Sequence, residues 1–198
     1  MLDRVPIDRG KLLDAEEAER LDGYRRFAIT DDGISPRLLP GMGPKGAYPT
    51  TGDEHDEEGH ITEDAGIAAA MLDKRLRKEE VARADMRAPY RYGPESADVT
   101  LIGWGSTFGA IREAVDLLNA DGASANMVHF VDLWPFPREH AREALANARR
   151  LIDVEGNRRA QFAYLLHAET GIRVDQEILK YDGRGFTPDY ILGRLEVK

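Results

Sequence analysis

"DVTLIGWGSTFGAIREAVDLLNADG", Asp98–Gly122, decides the fold. Its opening residues are a short apolar run ending in glycines, as a strand buried on both faces does. Ile111, Ala114, Val115 and Leu118 then recur at i, i+3, i+4 and i+7, the spacing of one helix face. Ser106 or Thr107 is placed to cap that helix and Gly122 to close it.

Working downstream, "NMVHFVDL" reads as a second strand, and Pro137 suits the first turn of a second helix with Ala141, Ala144, Leu145 and Ala148 on its inner face. "RLIDVEG", "RRAQFAYLLHAETG" and "EILKYDG" follow as strand, helix and strand. This alternation predicts a parallel sheet covered on both faces, a three-layer α/β/α domain over residues 98–198.

Upstream the texture changes. Residues 1–62 carry turn chemistry, as in "DDGISPRLLPGMGPKGAYPTTGDEHDEEGH", without sustained periodicity. A stretch this long predicts a loop-rich arm that wraps another surface. Residues 63–97 read as one helix and a linker. Thr62 is the expected N-cap, Ile67, Met71, Leu72 and Leu76 form one apolar stripe, and the helix ends near Asp85. "MRAPYRYGPES" reads as the linker.

Composition narrows the function. The 198 residues are 42% hydrophobic and 32% charged, enough apolar content for a core. The net charge of −9 argues against a nucleic-acid partner, which calls for a clustered basic face. There is no long apolar run, and "MLDRVPIDRGK" is charged from its third residue, so the expectation is a cytoplasmic protein with no membrane partner. With no cysteine, disulfides, a thiol nucleophile, Cys-ligated zinc and a Cys-held iron–sulfur cluster are excluded within this chain.

Gly103–Gly109, "GWGSTFG", sits where a strand meets a helix, so its N–H groups could hold an anion. Ser106 and Thr107 at that turn, Asn157 after the third strand, and the bases Arg37 and Lys45 are the candidate anion contacts, although Asn157 equally suits a helix cap. Asp132 ends the second strand, where a dinucleotide fold places its ribose-binding acid, which makes an NAD-binding domain the rival reading. Against it, the spacing G-x-G-x-x-x-G is one residue too long, and Pro135 and Pro137 follow the acid directly. No Ser–His–Asp set stands out, and no catalytic residue is assigned.

"TGDEHDEEGHITED", Thr51–Asp64, holds seven carboxylates and two histidines without a lysine or arginine. The spacing of His55 and His60 is not HExxH, and the alternating acids of a calcium loop are absent. The plain reading is a solvated acidic face.

Taken in order, "YRRFAITDDGISPRLLPG", "TGDEHDEEGHITED", "TLIGWGSTFGAIREAVDLLN", "VDLWPFP" and "VEGN…Q" resemble the C-terminal part of the α subunit of 2-oxoacid:ferredoxin oxidoreductases, especially the 2-oxoglutarate type. The resemblance runs from about Ile7 to Leu192. It implies that residues 98–198 are similar to the transketolase C-terminal domain and that 1–62 is the tail end of a pyrimidine-binding domain, whether in a split gene product or a truncation. It also implies a complex that decarboxylates a 2-oxoacid, transfers the acyl group to coenzyme A and reduces ferredoxin. Thiamine diphosphate, Mg and a 4Fe–4S cluster would sit mainly on the β subunit, and none in this chain. The expected partners are that β subunit and the remaining α part. The "YPITP"-type segment and a GDG…NN thiamine motif are missing here, so the chain alone should be inactive and contribute subunit interface; a non-catalytic assembly module is the alternative reading. For the acidic loop the resemblance implies a subunit interface or a gate, with Asp53, Glu54, His55, Asp56, Glu57 and His60 as its residues.

Overall fold

The computed structural model describes residues 6–196, and the chain divides into two compact units, 1–82 and 83–198. In the second unit the expected alternation is present: β2 (Val99–Trp104), α3 (Phe108–Ala120), β3 (Ala125–Phe130), α4 (Arg138–Leu145), β4 (Leu151–Glu155), α5 (Gln161–Thr170) and β5 (Gln176–Leu179). A short helix, α6 (Pro188–Leu192), follows. Its Thr187 cap accepts from Tyr190 N, and the sequence reading had not foreseen it.

With β1 at Tyr90–Tyr92, the sheet order is β1-β3-β2-β4-β5, with β2 through β5 parallel. β1 (Tyr90–Tyr92) corrects the reading of "MRAPYRYGPES" as linker: it pairs antiparallel with β3, Tyr90 opposite His129. Three residues with glycine and proline close behind give too short a signal for a strand. Pairing with a neighbour supplies what local pattern does not.

Side chains alternate along each strand, so both faces are apolar. One face takes Leu101, Met127, Ile152 and Val154 and packs against Ile111, Ala114 and Val115 of α3 and Ile191 of α6. The other takes Ile102, Val128, Phe130 and Leu151 and packs against Ala141 and Leu145 of α4 and Phe162 and Leu166 of α5. These are the three layers the sequence predicts. Gly103 lets α3 approach β2 closely: a Cβ there would come within 2.5 Å of Ile111 Cδ1 and 2.6 Å of Thr107 Oγ1.

The first unit holds α1 (Ala15–Arg20) and α2 (Ala65–Ala84). α1, another element not anticipated, is fixed by a capping box between Asp14 and Glu17. α2 starts two residues later than expected. Asp64 Oδ1 accepts from Ile67 N at 2.9 Å, while Thr62 Oγ1 accepts from Asp64 N at 3.1 Å. Both are good capping types; the one whose side chain reaches the third N–H decides the start. Loops make up much of the rest, as the sequence predicts.

Candidate functional site

In an open α/β sheet the ligand crevice lies beyond the C-terminal ends of the strands, where consecutive connections depart to opposite faces. Here that point lies between β2 and β4, since β2 leads into α3 on one face and β4 leads into α5 on the other. Trp104, Gly105 and Ser106 leave the first strand and Gly156 and Asn157 the second.

Glu155 closes the crevice floor. It is fully buried at the last position of β4. Its oxygens each accept from Phe162 N at 3.0 Å, Oε1 also from Ala163 N at 3.2 Å, and Oε2 from Asn157 Nδ2, with Trp104 Nε1 at 3.5 Å. A carboxylate against the N–H groups of the first turn of α5 sits at the positive end of the helix dipole, which offsets its burial. The arrangement ties β2, β4 and α5 together through one side chain.

Asp153 lies two residues earlier, on the same face, and is also fully buried. No N–H or hydroxyl donor reaches either of its oxygens, and its hydrogen-bond partner is the Glu155 carboxylate, to which the protonated acid donates. Burial, then the neighbouring Glu155 and Glu177, push its carboxyl up to about 10, so it is a neutral acid across the physiological range.

The candidate anion contacts fall in different places. Ser106 is exposed at the crevice, while Thr107 is buried and donates to Trp104 O at 2.9 Å. Asn157 Oδ1 accepts from Arg159 N at 2.9 Å and Gln161 N at 3.3 Å in the turn before α5, but the N-cap position is Ala160, and Glu155, not Asn157, takes the N–H groups of Phe162 and Ala163. Arg37 Nη2 donates to Arg9 O at 2.6 Å, and Lys45 Nζ donates to Glu19 O and Leu21 O at 2.9 and 2.7 Å, at the C-terminal end of α1. These two bases lie in the first unit and are engaged with backbone there.

The dinucleotide reading meets two obstacles. Asp132 receives Arg87 N and Nε on Oδ2 at 2.9 Å each and Nη2 on Oδ1 at 2.7 Å, which holds its carboxyl at about 2 and occupies the oxygens a ribose would need. The third glycine of a dinucleotide fingerprint packs helix against strand, but a Cβ on Gly109 would meet nothing within 4 Å.

The acidic loop lies in the first unit and is ordered by its own acids. Asp56 Oδ1 accepts from Glu58, Gly59 and His60 N, each at 2.9 Å, and the bond from His60 leads in drawing its carboxyl below the usual range. Glu57 receives Arg25 Nη1 at 3.0 Å and Ile29 N at 2.8 Å. Glu54 pairs with both terminal nitrogens of Arg75, which lowers its carboxyl. His55 Nδ1 lies 3.0 Å from Asp53 O, with its ring 4.3 Å from that of Phe27. His60 Nδ1 lies 3.5 Å from Asp56 Oδ2. Among the described residues the Asp53 carboxylate meets Thr51 Oγ1 at 3.4 Å, and Asp53 N donates to the same hydroxyl at 3.0 Å. Among the described residues no three His, Asp or Glu side chains converge into a metal-ligand set, and no helix is long and apolar enough to cross a membrane.

Sequence reading places Glu155 with Asn157 at the end of the third strand, where open sheets hold ligands, but it gives Glu155 no clamping role and does not single out Asp153. The signal was present: in "LIDVE" two acids fall two residues apart in a strand expected to be buried on both faces, so both must point into one buried layer.

Comparison with known proteins gives a consistent result. Residues 97–189 match the pyruvate:ferredoxin oxidoreductase core domain II. The α subunit of 2-oxoacid:ferredoxin oxidoreductase 2 from Aeropyrum pernix is 39% identical over 91% of this chain and 28% of its own length. A 2-oxoglutarate synthase subunit KorA from Methanothermobacter marburgensis is 28% identical over 79% of this chain and 42% of its own. A solved 2-oxoglutarate:ferredoxin oxidoreductase from Magnetococcus marinus, with 2-oxoglutarate, coenzyme A and succinyl-CoA bound, superposes with a TM-score of 0.78 at 32% identity, over 89% of this chain and 31% of that one. The chain thus spans less than half the length of these relatives.

Proposed function

The chain belongs to the family of 2-oxoacid:ferredoxin oxidoreductase α subunits, and from that premise we propose that it is the C-terminal part of such a subunit in a thiamine-diphosphate-dependent complex acting on 2-oxoglutarate. The complex would decarboxylate the 2-oxoacid, pass the acyl group to coenzyme A and the electrons to ferredoxin. The observation that supports this most is the shared fold with the 2-oxoglutarate:ferredoxin oxidoreductase over nearly the whole chain. In this reading residues 1–62 are the tail end of the pyrimidine-binding domain, 63–97 the connection, and 98–198 core domain II.

Thiamine diphosphate, when bound, supplies the electron sink for decarboxylation. The residues present do not fit the complex's cofactors. A 4Fe–4S cluster takes cysteine thiolates, of which the chain has none. Mg²⁺ on a diphosphate takes carboxylates within reach of ligand, whereas Asp153 and Glu155 are fully buried. No chemical step is therefore assigned to this chain. Its part in this reading is to hold subunits together, with the acidic loop as interface or gate, and the cofactors reside mainly on the β subunit, in the cytoplasm.

The test is reconstitution. The chain is produced alone, and then with the β subunit and the remaining α part, and assayed for reduction of ferredoxin that depends on 2-oxoglutarate and coenzyme A. Turnover by the assembled set and none by the chain alone is the expected result. A chain that joins no complex, or that binds NAD(H) at micromolar concentration by calorimetry, would overturn the assignment.

A further inference from the structure

The sequence gives α2 one apolar stripe; the structure splits it, turning Met71 inward and Leu72 and Leu76 to the opposite side. Successive helical residues lie about 100° apart, so Met71, Lys74 and Lys78 share one face while Ala65, Ala69, Leu72 and Leu76 share the reverse. The first face is covered at Met71 and Lys74. Met71 is 1% exposed and Lys74 7%, and Lys74 Nζ donates to Phe27 O at 2.8 Å. Gly33 lies directly against the helix there, since a Cβ on it would come within 2.3 Å of Lys74 O and 2.7 Å of Lys78 N.

The reverse face is bare. Leu72 and Leu76 are each 52% exposed, and Ala65 and Ala69 are exposed one and two turns before them. One exposed leucine is ordinary. Four apolar residues at spacings of four, three and four, with no polar residue on their line, form the stripe a helix presents to a neighbour. The two alanines at its start let a second helix come close, and the two leucines supply the ridge that fills its groove.

We propose that this Ala65–Ala69–Leu72–Leu76 face of α2 is the docking surface for the part of the α subunit that lies outside this chain. The inference rests on the functional reading above. The relatives it draws on are much longer: the chain covers 28% of the Aeropyrum subunit and 31% of the Magnetococcus chain, so most of such a subunit is available to cover the face. Position argues for the same occupant. α2 seats its covered face on the arm, and the arm is in that reading the tail end of a domain whose sheet lies in the absent part. In that reading the domain whose tail end already carries α2 is the one placed to cover the helix's other face.

The test uses the full chain carrying Leu72→Glu and Leu76→Glu, mixed separately with the upstream α part, with the β subunit and with itself. Because both leucines are exposed, circular dichroism and melting of the isolated chain should be unchanged. Affinity for the upstream α part should fall at least about tenfold, as for central apolar contacts of an interface. Should the variant fold poorly, Ala69→Cys serves instead: the chain has no other cysteine, so maleimide labelling reads this face alone. Labelling that is rapid in the free chain and blocked by the upstream α part supports the proposal. A variant that binds the upstream part like the native chain overturns it, as does a loss confined to β-subunit binding or to self-association. If the native chain itself binds neither the upstream part nor the β subunit, the functional reading fails instead.

Discussion

In the unit that begins at Arg83, two apolar clusters enclose a five-stranded sheet, and Phe130, Phe136 and Phe162 are at most 2% exposed. In the unit that ends at Ala82, the fully buried apolar side chains among the described residues are Ala18, Leu38 and Met71. What orders that unit is polar: Lys11 on Asp32 at 2.5 Å, Lys45 on carbonyls of α1, Tyr24 OH accepting from Leu38 N at 2.8 Å, and the acids of the loop on backbone N–H groups. Apolar burial contributes in proportion to area and is cooperative, whereas exposed ion pairs contribute little singly and weaken with salt. The two units should therefore answer differently to the same perturbation.

The largest effect belongs to the aromatic centre of the second unit. Phe162 stands 4.8 Å from Phe130, ring centre to ring centre, and touches the layer under α5. Phe162→Ala should lower the stability of this unit by about 3–5 kcal/mol, read as a lower urea midpoint at unchanged slope. Leu38→Ala should leave that transition where it was and affect only signals from the arm. Equal shifts from both substitutions would break the comparison and make the chain one cooperative unit. Limited proteolysis sharpens it. Because Tyr90–Tyr92 is a strand of the sheet, the resistant C-terminal fragment should begin before Tyr90, not within Tyr90–Ser96.

The pH dependence should run in opposite directions. Asp153 is raised in the fold to about 10, so its contribution is fully present below the unfolded carboxyl value near 4 and is lost as pH rises toward 10. Asp153→Asn should match the native second unit near pH 4 and exceed it by at least about 1 kcal/mol at pH 8, measured by denaturant titration. Lys74 is lowered to about 8, by burial first and then by Lys78, Arg26 and Arg75. Its contribution is present above the unfolded lysine value near 10.4 and is lost as pH falls to 8. Between pH 8 and 10 the first unit should gain stability while the second loses it. Lys74→Met should flatten the first trend, with an effect under about 1 kcal/mol after solvent screening. Parallel trends in the two units would sink this account.

The same contrast explains what sequence could and could not disclose. In the second unit each strand is an apolar run and each helix a repeat, because burial on two faces imposes a period, and so β2 through β5 and α3 through α5 were legible. β1 was not, since three residues carry no period and its pairing with β3 is a tertiary fact. In the first unit the order comes from single side chains reaching backbone groups distant in sequence, as Glu57 reaches Ile29, and composition does not encode such contacts. α2 misled for a related reason. Ile67, Met71, Leu72 and Leu76 look like one stripe in the sequence, yet Met71 faces inward and Leu72 and Leu76 outward. The crevice was legible as a place, from the glycine turn and the strand ends. Its chemistry was not, because Glu155 acquires its role only when α5 folds back over β4.

The smallest effects should come from the acidic loop, where residue-by-residue differences are the informative quantity. Charge alone suggests that neutralising Asp53, Glu54, Asp56 and Glu57 together would harm assembly more than folding. The structure separates these four. Asp56 satisfies three backbone N–H groups, Glu57 holds Arg25 and Ile29, and Glu54 holds Arg75, so removing them leaves donors unpaired inside the first unit. Asp56→Ala should lower the melting temperature of the arm, Asp56→Asn less so because an amide oxygen still accepts, and Glu54→Gln and Glu57→Gln by an intermediate amount. Asp53, whose carboxylate meets only the nearby Thr51 hydroxyl, and the exposed Glu58, whose partner is the exposed His60 at 3.7 Å, should tolerate neutralisation with the melting temperature unchanged. These two carboxylates hold no backbone N–H group of another segment and are exposed to meet a partner. If the loop is an interface, Asp53→Asn with Glu58→Gln should slow association with the remaining subunits at low salt and match the native chain at high salt. Native-like association at every salt concentration would leave the loop as a solvated face that its own acids hold in shape.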